Sequence, residues 1–299
     1  LVDTSSCRVI FGEADLLPAL IVDKFGDYLS IQTLSLGIEK YKSTIVELLE
    51  EILEPKGIYE RNDVQIREKE GLKQQKGFIK GPFDTTVEIK ENEIRMLVDI
   101  ENGQKTGYFL DQRENRAALK PFVKDARVLD TFSHTGGFAL HAAYYGAKEV
   151  TAVDISEHAI EYLKRNADIN GLQGKINGVT GNVFDVLKEY QTLNEKFDVV
   201  ILDPPAFCKT KSALSGAYRG YKDINLRGMK ILNPGGFLVT CSCSHYMYPG
   251  LFMEMIQDAA MDAGKIVRQV EFRTQAKDHP VLYGSNESMY LKCVILQVI

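Results

Sequence analysis

The sequence predicts an α/β protein in which a small mixed α/β domain precedes an open parallel sheet with helices on both faces. From residue 127 onward, short apolar runs alternate with runs of helical spacing, and this alternation is typical of a doubly wound sheet. Before residue 82 the pattern differs, because short strand-like runs surround a single helix. The composition, with 44% hydrophobic and 26% charged residues in a chain of 299, is that of a globular protein.

Residues 1–81 are predicted to form the small first domain. Residues 39–53 have apolar side chains close to helical spacing, and Pro55 and Gly57 end this helix. The segment 66–81 is polar and interrupted by glycines, which indicates a loop. Short strands are predicted at 7–13, 20–22, 27–34 and 58–63.

Residues 82–299 are predicted to form the larger domain, which begins with a β-hairpin. Residues 85–100 alternate on both sides of Glu91-Asn92, which is the pattern of two paired strands. In the helix predicted over 156–171, Ser156 is the N-cap and Gly171 ends the helix. The predicted strands of the sheet are 127–132, 149–154, 175–182, 197–205, 235–242, 266–272 and 289–298, and the other helices are 137–146, 224–232 and 251–264.

Hydropathy, cysteine content and charge exclude several classes of protein. No stretch approaches the roughly 20 apolar residues of a membrane span, so no membrane partner is expected, and no signal peptide is recognised. Five cysteines, an odd number without CxxC spacing, predict neither a disulfide framework nor a zinc site, so we expect a cytoplasmic protein without a metal. A net charge of −5 argues against a wholly basic nucleic-acid coat protein but is compatible with a local basic patch.

Residues that can carry chemistry follow each of the first five strands of the predicted sheet. Ligands bind at the carboxyl ends of the strands in such sheets, so these residues mark the candidate site. A glycine pair lets a backbone approach a ligand closely, and an acid such as Asp154 can hold both hydroxyls of a ribose. In chain order the segments are Asp130 to Gly137, Asp154, Gly181 to Asp185, Asp203 to Phe207, and Thr240 to Ser244.

Each of these features alone has a simpler structural explanation. Gly136-Gly137 fits a tight turn, Asp154 fits a helix cap, and a cysteine at a strand end fits a small buried apolar residue. The glycines and the acid also fit a dinucleotide-binding fold, but the absence of GxGxxG weakens a dehydrogenase interpretation. The five segments in order, one for each strand, are what indicates a ligand site.

A family resemblance is carried by seven stretches, which together run along nearly the whole chain: FGEADLLPALIVDKFGDYL, GQKTGYFLDQRENR, VLDTFSHTGGFALHAAYYGAKEVTAVDIS, FDVVILDPPAF, AYRGYKDIN, GGFLVTCSCS and QAKDHPV. They resemble class I S-adenosylmethionine-dependent methyltransferases, which have a Rossmann-like sheet. The closer resemblance is to the bacterial large-subunit ribosomal RNA cytosine-5 methyltransferases of the RlmI type. The N-terminal RNA-binding PUA domain of that family has no counterpart here, which agrees with a start at Leu1 inside a longer product or with a shorter relative.

The resemblance implies a cofactor, a substrate and roles for individual residues. The cofactor would be S-adenosyl-L-methionine, the product S-adenosyl-L-homocysteine, and the substrate ribosomal RNA or a ribosomal subunit. Asp154 would bind the ribose hydroxyls, Ile155 would lie against the adenine, and Asp203 would face the reacting base beside the cofactor. Asn182, where many relatives have Asp, and Val183 would lie at the adenine edge. The methionine part would be lined by Thr131, Phe132, Ser133 and Gly136, and the residues closing over the cofactor would be Tyr108, Phe109, Asp111, Gln112 and Arg113.

A cysteine is needed because cytosine C5 is a poor nucleophile. A thiolate added at C6 makes C5 able to attack a sulfonium methyl group. Counted from Pro234-Gly235-Gly236, Cys243 falls at the nucleophile position of the resembled enzymes, and we favour it over Cys241. Many RNA cytosine-5 enzymes have a second cysteine where this chain has Ala206, so release of the product would depend on Asp203 or water.

Two other functions stay open at this point. A ribosomal RNA guanine-N7 methyltransferase shares the DPP-x-F pattern but needs no nucleophilic cysteine. A catalytically idle cofactor-binding RNA module would need neither Asp203 nor Cys243. The sequence does not fix the oligomeric state, and a homodimer is among the options.

A basic segment follows the predicted active-site turn. Residues 206–230 carry six Lys or Arg and one acid, and interleaved tyrosines can stack on bases. A solvated helix and loop is the simpler alternative. The residues predicted to bind RNA are Lys209, Lys211, Tyr218, Arg219, Tyr221 and Lys222.

Overall fold

The computed structural model describes residues 3–299, except for the side chain of Asn286, and divides into two compact units. The first unit comprises Leu1–Arg113 and Ala276–Ser288, and the second comprises Glu114–Gln275 and Met289–Ile299. We predicted a boundary at residues 81/82, whereas the first compact unit includes the hairpin. The reason is backbone pairing, since the Ser5 N–H donates to the Lys90 carbonyl at 2.9 Å.

The first unit contains a twisted sheet, three helices and the hairpin. Its strands are β1 (Ser6–Phe11), β2 (Leu20–Phe25), β3 (Tyr28–Thr33), β4 (Gly57–Asn62), β5 (Gln75–Lys80), β6 (Thr86–Glu91) and β7 (Ile94–Asp99), and its helices are α1 (Leu36–Lys40), α2 (Lys42–Leu53) and α3 (Ile66–Lys69). The sheet order is β1-β2-β3-β4-β5, with only β3 and β4 parallel, while β6 and β7 form the predicted hairpin. Leu20, Val22, Leu29, Ile31 and Ile58 form the core of this sheet against α2.

The segment 66–81 is not a plain loop, which corrects the sequence prediction. It contains α3 and the edge strand β5, which pairs with β4. β5 has no buried residue, and it is held by backbone pairing with β4 together with partial packing of Phe78 and Ile79.

The second unit is built on a seven-stranded sheet. The helices after the hairpin are α4 (Arg113–Ala117), α5 (Gly137–Tyr144), α6 (Glu157–Ile169), α7 (Val183–Thr192), α8 (Leu214–Lys230) and α9 (Pro249–Ala263), and the strands are β8 (Arg127–Thr131), β9 (Glu149–Asp154), β10 (Ile176–Thr180), β11 (Phe197–Leu202), β12 (Leu232–Ser242), β13 (Val267–Arg273) and β14 (Lys292–Val298). The strand order is β10-β9-β8-β11-β12-β14-β13. The first five are parallel and β14 is antiparallel to both its neighbours. The predicted Rossmann-like fold is confirmed, with an antiparallel strand that makes the sheet mixed.

Three helices after the hairpin differ from the prediction, which did not include α4. α7 was not predicted, although Asn182 caps it and Val183, Val186 and Leu187 form its buried face. α8 begins at Leu214, ten residues before the predicted start at 224. The predicted N-cap of α6 is confirmed, since the Ser156 side chain accepts a hydrogen bond from the Ala159 N–H.

Parallel strands place the site residues on one edge of the sheet. β8, β9, β10, β11 and β12 all end at the same side, so the loops after them lie next to one another. No helix within residues 3–299 has the length and hydropathy needed to cross a bilayer.

Candidate cofactor-binding and catalytic site

The loop after β8 has a strained backbone. Phe132 and His134 adopt positive φ angles of 57° and 50°, which are uncommon for residues other than glycine. Gly136 has a φ of 92°, and a Cβ there would lie 2.9 Å from Leu163 Cγ of α6. The glycine is therefore required both for the turn and for packing against α6. Strain of this kind is concentrated at functional sites in folded proteins.

Asp154 joins the loops that follow β8 and β9. Its Oδ2 accepts a hydrogen bond from the His134 N–H at 2.8 Å, and its Oδ1 accepts one from the Ser156 N–H at 2.9 Å. The residue is half-buried at the carboxyl end of β9. A carboxylate held in this way can accept further hydrogen bonds, as the two hydroxyls of a ribose require.

His134 itself is neutral in this loop. Burial lowers the pKa of its imidazole to about 4, although the Asp154 carboxylate acts in the opposite direction. The loop therefore carries no additional positive charge at neutral pH.

The residues predicted at the adenine are placed around the next loop. Asn182 Oδ1 accepts a hydrogen bond from the Phe184 N–H at 2.9 Å and so caps α7. Val183 is buried, whereas Ile155 is 72% exposed next to Asp154. An exposed apolar side chain at this position is available to cover a flat ring.

Buried polar atoms at the strand ends fit a polar ligand. Asp130 is fully buried, and its oxygens make no hydrogen bond of standard geometry with the described residues, although the Ala139 N–H favours its charged form. The Oγ of Ser133 and the Oγ1 of Thr240 are also buried without a partner in residues 3–299. Such atoms are normally satisfied by a partner, and a carboxylate with two hydroxyls suits a ligand that carries an ammonium and a carboxylate.

Burial and the nearby Asp203 raise the pKa of Asp130 well above its ordinary value. No role was predicted for Asp130 from the sequence. The signal that could have identified it is an acid next to the last residue of a buried strand, directly after Val128 and Leu129.

The two candidate thiols differ in accessibility. Cys241 lies within β12, opposite Cys293 of β14, and is fully buried. Cys243 follows the last residue of β12 and is only partly buried. Cys208, five residues after Asp203, is buried, and its Sγ lies 3.1 Å from the Thr210 carbonyl oxygen. Accessibility therefore favours Cys243 as the reactive thiol.

The turn that carries Cys243 is fixed by its neighbours on both sides. The Ser244 Oγ accepts a hydrogen bond from the Cys208 N–H at 3.1 Å and lies 2.9 Å from the Tyr221 hydroxyl. The Ser244 carbonyl accepts a hydrogen bond from Lys292 Nζ at 2.8 Å. Tyr221 is completely buried, so the prediction that it stacks on RNA is wrong. Its position on the inner face of α8 makes it a support for the Cys243 turn.

Comparison with known proteins identifies the family. Residues 72–283 match the family described as S-adenosylmethionine-dependent methyltransferase. Ribosomal RNA large subunit methyltransferase I of Klebsiella pneumoniae subsp. pneumoniae is 45% identical over 289 residues, which are 96% of this chain and 72% of that protein. The protein of the same name from Aliivibrio fischeri is 46% identical over 98% of this chain and 74% of its own length.

The chain belongs to the S-adenosylmethionine-dependent methyltransferases, in the family of the ribosomal RNA large subunit methyltransferases I. Solved structures show the same fold at lower identity. The crystal structure of SMU.776 with SAH aligns with this chain with a TM-score of 0.86 and 24% identity. The alignment covers 98% of this chain and 75% of the SMU.776 chain. The M. jannaschii tRNA m1G37 methyltransferase covers 93% of this chain and 74% of its own, with a TM-score of 0.65 and 21% identity.

S-adenosylmethionine is thus the cofactor of this methyltransferase. The buried polar atoms of Asp130, Ser133 and Thr240, the strained loop and the Asp154 carboxylate fit that group. Thr131 contributes structurally, because its Oγ1 donates to the Ile201 carbonyl at 2.8 Å.

Five of the predicted cofactor residues lie in the first unit of the methyltransferase, and most of them are buried there. Arg113 donates to both oxygens of Asp278 at 2.9 Å, and His279 Nδ1 lies 3.2 Å from the same carboxylate. Arg113 and His279 hold the pKa of Asp278 well below its usual range, although burial opposes them. Arg113 therefore anchors the 276–288 segment. The five residues are Tyr108, Phe109, Asp111, Gln112 and Arg113.

Apart from the buried Tyr221, the predicted RNA-binding residues of the methyltransferase separate into two groups. Lys222 Nζ lies 2.8 Å from Asp262 Oδ2, and the Tyr218 hydroxyl donates to Asp258 at 2.7 Å, so both side chains are bound to α9. The remaining three, which we call the exposed basic cluster, have no carboxylate partner in the described part of the chain. They are Lys209, Lys211 and Arg219.

Proposed function

We propose that this methyltransferase modifies C5 of a cytosine in large-subunit ribosomal RNA through a covalent bond between Cys243 and C6 of the base. The substrate class is supported by the relatives, which are ribosomal RNA large subunit methyltransferases I. The cysteine chemistry is supported by one observation above all. Cys243 is accessible at the same edge of the sheet as Asp203 and the cofactor loops, while Cys241 is buried.

Cys243 acts as the nucleophile. Its thiolate adds to C6, and the electron density moved to C5 makes C5 nucleophilic. S-adenosylmethionine, when bound, would supply the electrophilic methyl group that C5 takes, and S-adenosylhomocysteine would be the leaving group. The proton on C5 then leaves to a base, the C6–S bond breaks, and the thiolate is restored. This chain has Ala206 where many RNA cytosine-5 enzymes have a second cysteine, so Asp203 or water takes that proton.

Asp203 has a second task in this proposal, which is to orient the base. It follows β11 directly and precedes Pro204-Pro205, which fix the backbone there. The target base must leave its stack to reach this edge of the sheet. The exposed basic cluster lies immediately after this turn in the chain and would bind the RNA backbone in the cytoplasm.

A methyl-transfer assay with large-subunit ribosomal RNA tests the proposal. The RNA, as naked RNA or in the ribosomal subunit, is incubated with labelled S-adenosylmethionine and digested, and the nucleosides are identified by mass spectrometry. We expect 5-methylcytidine with the wild type, none with Cys243→Ser, and substantial activity with the matched control Cys241→Ser. Formation of 7-methylguanosine by an active Cys243→Ser variant would exclude the cysteine mechanism.

A further inference from the structure

Lys292 is a buried lysine next to the turn that carries Cys243. It is the first residue of β14, pairs in register with Ser242 of β12, and is 1% exposed. Its Nζ donates to the carbonyl oxygens of Ser244 at 2.8 Å and of Tyr290 at 2.9 Å. The structure gives this ammonium no carboxylate partner within residues 3–299.

Burying an ammonium group without an opposite charge is unfavourable. In addition, the two carbonyl groups accept hydrogen bonds from only two of its three N–H donors. Burial lowers the pKa of Lys292 to about 8, and Cys243 acts in the opposite direction. This attraction is mutual. A thiolate at Cys243 favours the charged form of Lys292, and the charged lysine favours the thiolate.

Among the described residues, the other buried titratable groups that contact this turn, Tyr221 and Cys208, do not supply a positive charge. Tyr221 of α8 is kept protonated, because burial raises its pKa to about 12. Cys208 is buried and directed toward the Thr210 carbonyl. Asp203, which follows β11, is an acid and cannot supply a positive charge. His245, two residues after Cys243, is exposed to solvent.

We infer that Lys292 is a positioning residue, which holds the Ser242–Ser244 turn through the Ser244 carbonyl and stabilises the thiolate of Cys243 by its charge. The role in methylation rests on the proposed function, but the effect of Lys292 on the thiol does not. The class of group that Lys292 recognises is an anionic sulfur, and no metal or cofactor takes part.

The pH dependence of Cys243 alkylation tests this inference without RNA or cofactor. Iodoacetamide labelling of the Cys243 peptide is followed by mass spectrometry in the wild type, in Lys292→Met and in the control Lys148→Met, a change at an exposed lysine. Removing the charge should raise the midpoint of alkylation by about one pH unit or more, whereas the control should match the wild type. The kcat of Lys292→Met should fall about tenfold at neutral pH and recover as the pH rises. An unchanged midpoint in a folded variant would overturn the inference.

A reciprocal measurement covers the case in which Lys292→Met does not fold. In protein labelled with ¹³C-lysine, the NMR titration of Lys292 is compared between the wild type and Cys243→Ser. Loss of the thiolate should lower the pKa of Lys292, and an unchanged titration would contradict the coupling. A coupled thiol and lysine in an enzyme that forms no 5-methylcytidine would uphold this inference and refute the proposed function. An enzyme that forms 5-methylcytidine without this coupling would uphold the proposed function and refute the inference about Lys292.

Discussion

Asp154 offers a quantitative test of the cofactor site, through the substitution Asp154→Ala. In the bound state its carboxylate would accept hydrogen bonds from the ribose hydroxyls, and a hydrogen bond to a charged group contributes about 1.5–3 kcal/mol. Loss of even one such bond weakens binding by a factor of at least about ten. We therefore expect at least a tenfold increase in the Kd of S-adenosylmethionine, measured by calorimetry.

The same carboxylate also holds the His134 and Ser156 N–H groups, so a loss of stability must be separated from a loss of ligand contact. Asp154→Ala should lower the Tm by about 2–4 °C for each kcal/mol lost. Asp154→Asn keeps one acceptor oxygen and should fall between Ala and the wild type in both measurements. Asp168→Ala, at an exposed position of α6, is the control and should change neither. An unchanged Kd in a folded Asp154→Ala protein would refute the assignment.

Three further predictions concern stability and RNA binding. The pKa of Asp130 is higher in the folded state than in the unfolded state, so its ionisation destabilises the fold as the pH rises above the pKa of the unfolded state. Asp130→Asn should therefore have a higher Tm than the wild type at about pH 8, and this difference should disappear toward about pH 4. Gly136→Ala should lower the Tm, because a Cβ clashes with α6, whereas Gly174→Ala, in open space, should not, and equal values would contradict the packing argument. Neutralising the exposed basic cluster should reduce the dependence of RNA affinity on salt concentration. Lys222→Gln, a change at an ion-paired lysine, should leave this dependence nearly unchanged. The opposite result would show that the RNA binds to another surface.

The alternation of strands and helices predicted the sheet because buried parallel strands are continuous apolar runs. Segments such as FDVVILDPP therefore identify both the strand and its carboxyl end. The position of Asp154 and the location of Cys243 just beyond β12 follow from the same pattern. Their hydrogen-bond partners do not, because these are backbone groups of neighbouring loops.

Two kinds of element were missed, an edge strand with a weak apolar signal and short helices. β5 has no buried residue and pairs with β4, and its polar and glycine residues gave no strand signal. α7 did carry a signal, since Val183, Val186 and Leu187 recur at helical spacing after the N-cap Asn182. A short helix between two strands is easily read as part of the loop.

The prediction of RNA-binding residues on α8 was partly wrong because charges were counted along the chain without considering which face of the helix each residue occupies. Tyr221, Ile224 and Asn225 lie on the buried face of α8. Tyr221 therefore faces the interior of the protein even though basic residues flank it in the sequence. Lys222 points to the acids of α9, which are more than thirty residues away in the chain. Contacts over such a separation cannot be obtained from spacing alone.

Trapping with 5-fluorocytosine RNA tests the central claim, that Cys243 forms a bond to the base. Fluorine replaces the C5 proton that must leave, so the adduct cannot resolve and should persist through denaturing electrophoresis. The wild type and Cys241→Ser should each give a covalent protein–RNA complex in the presence of S-adenosylmethionine, and Cys243→Ser should give none. A complex formed by Cys243→Ser, or its absence from a wild type that methylates unmodified RNA, would contradict the account.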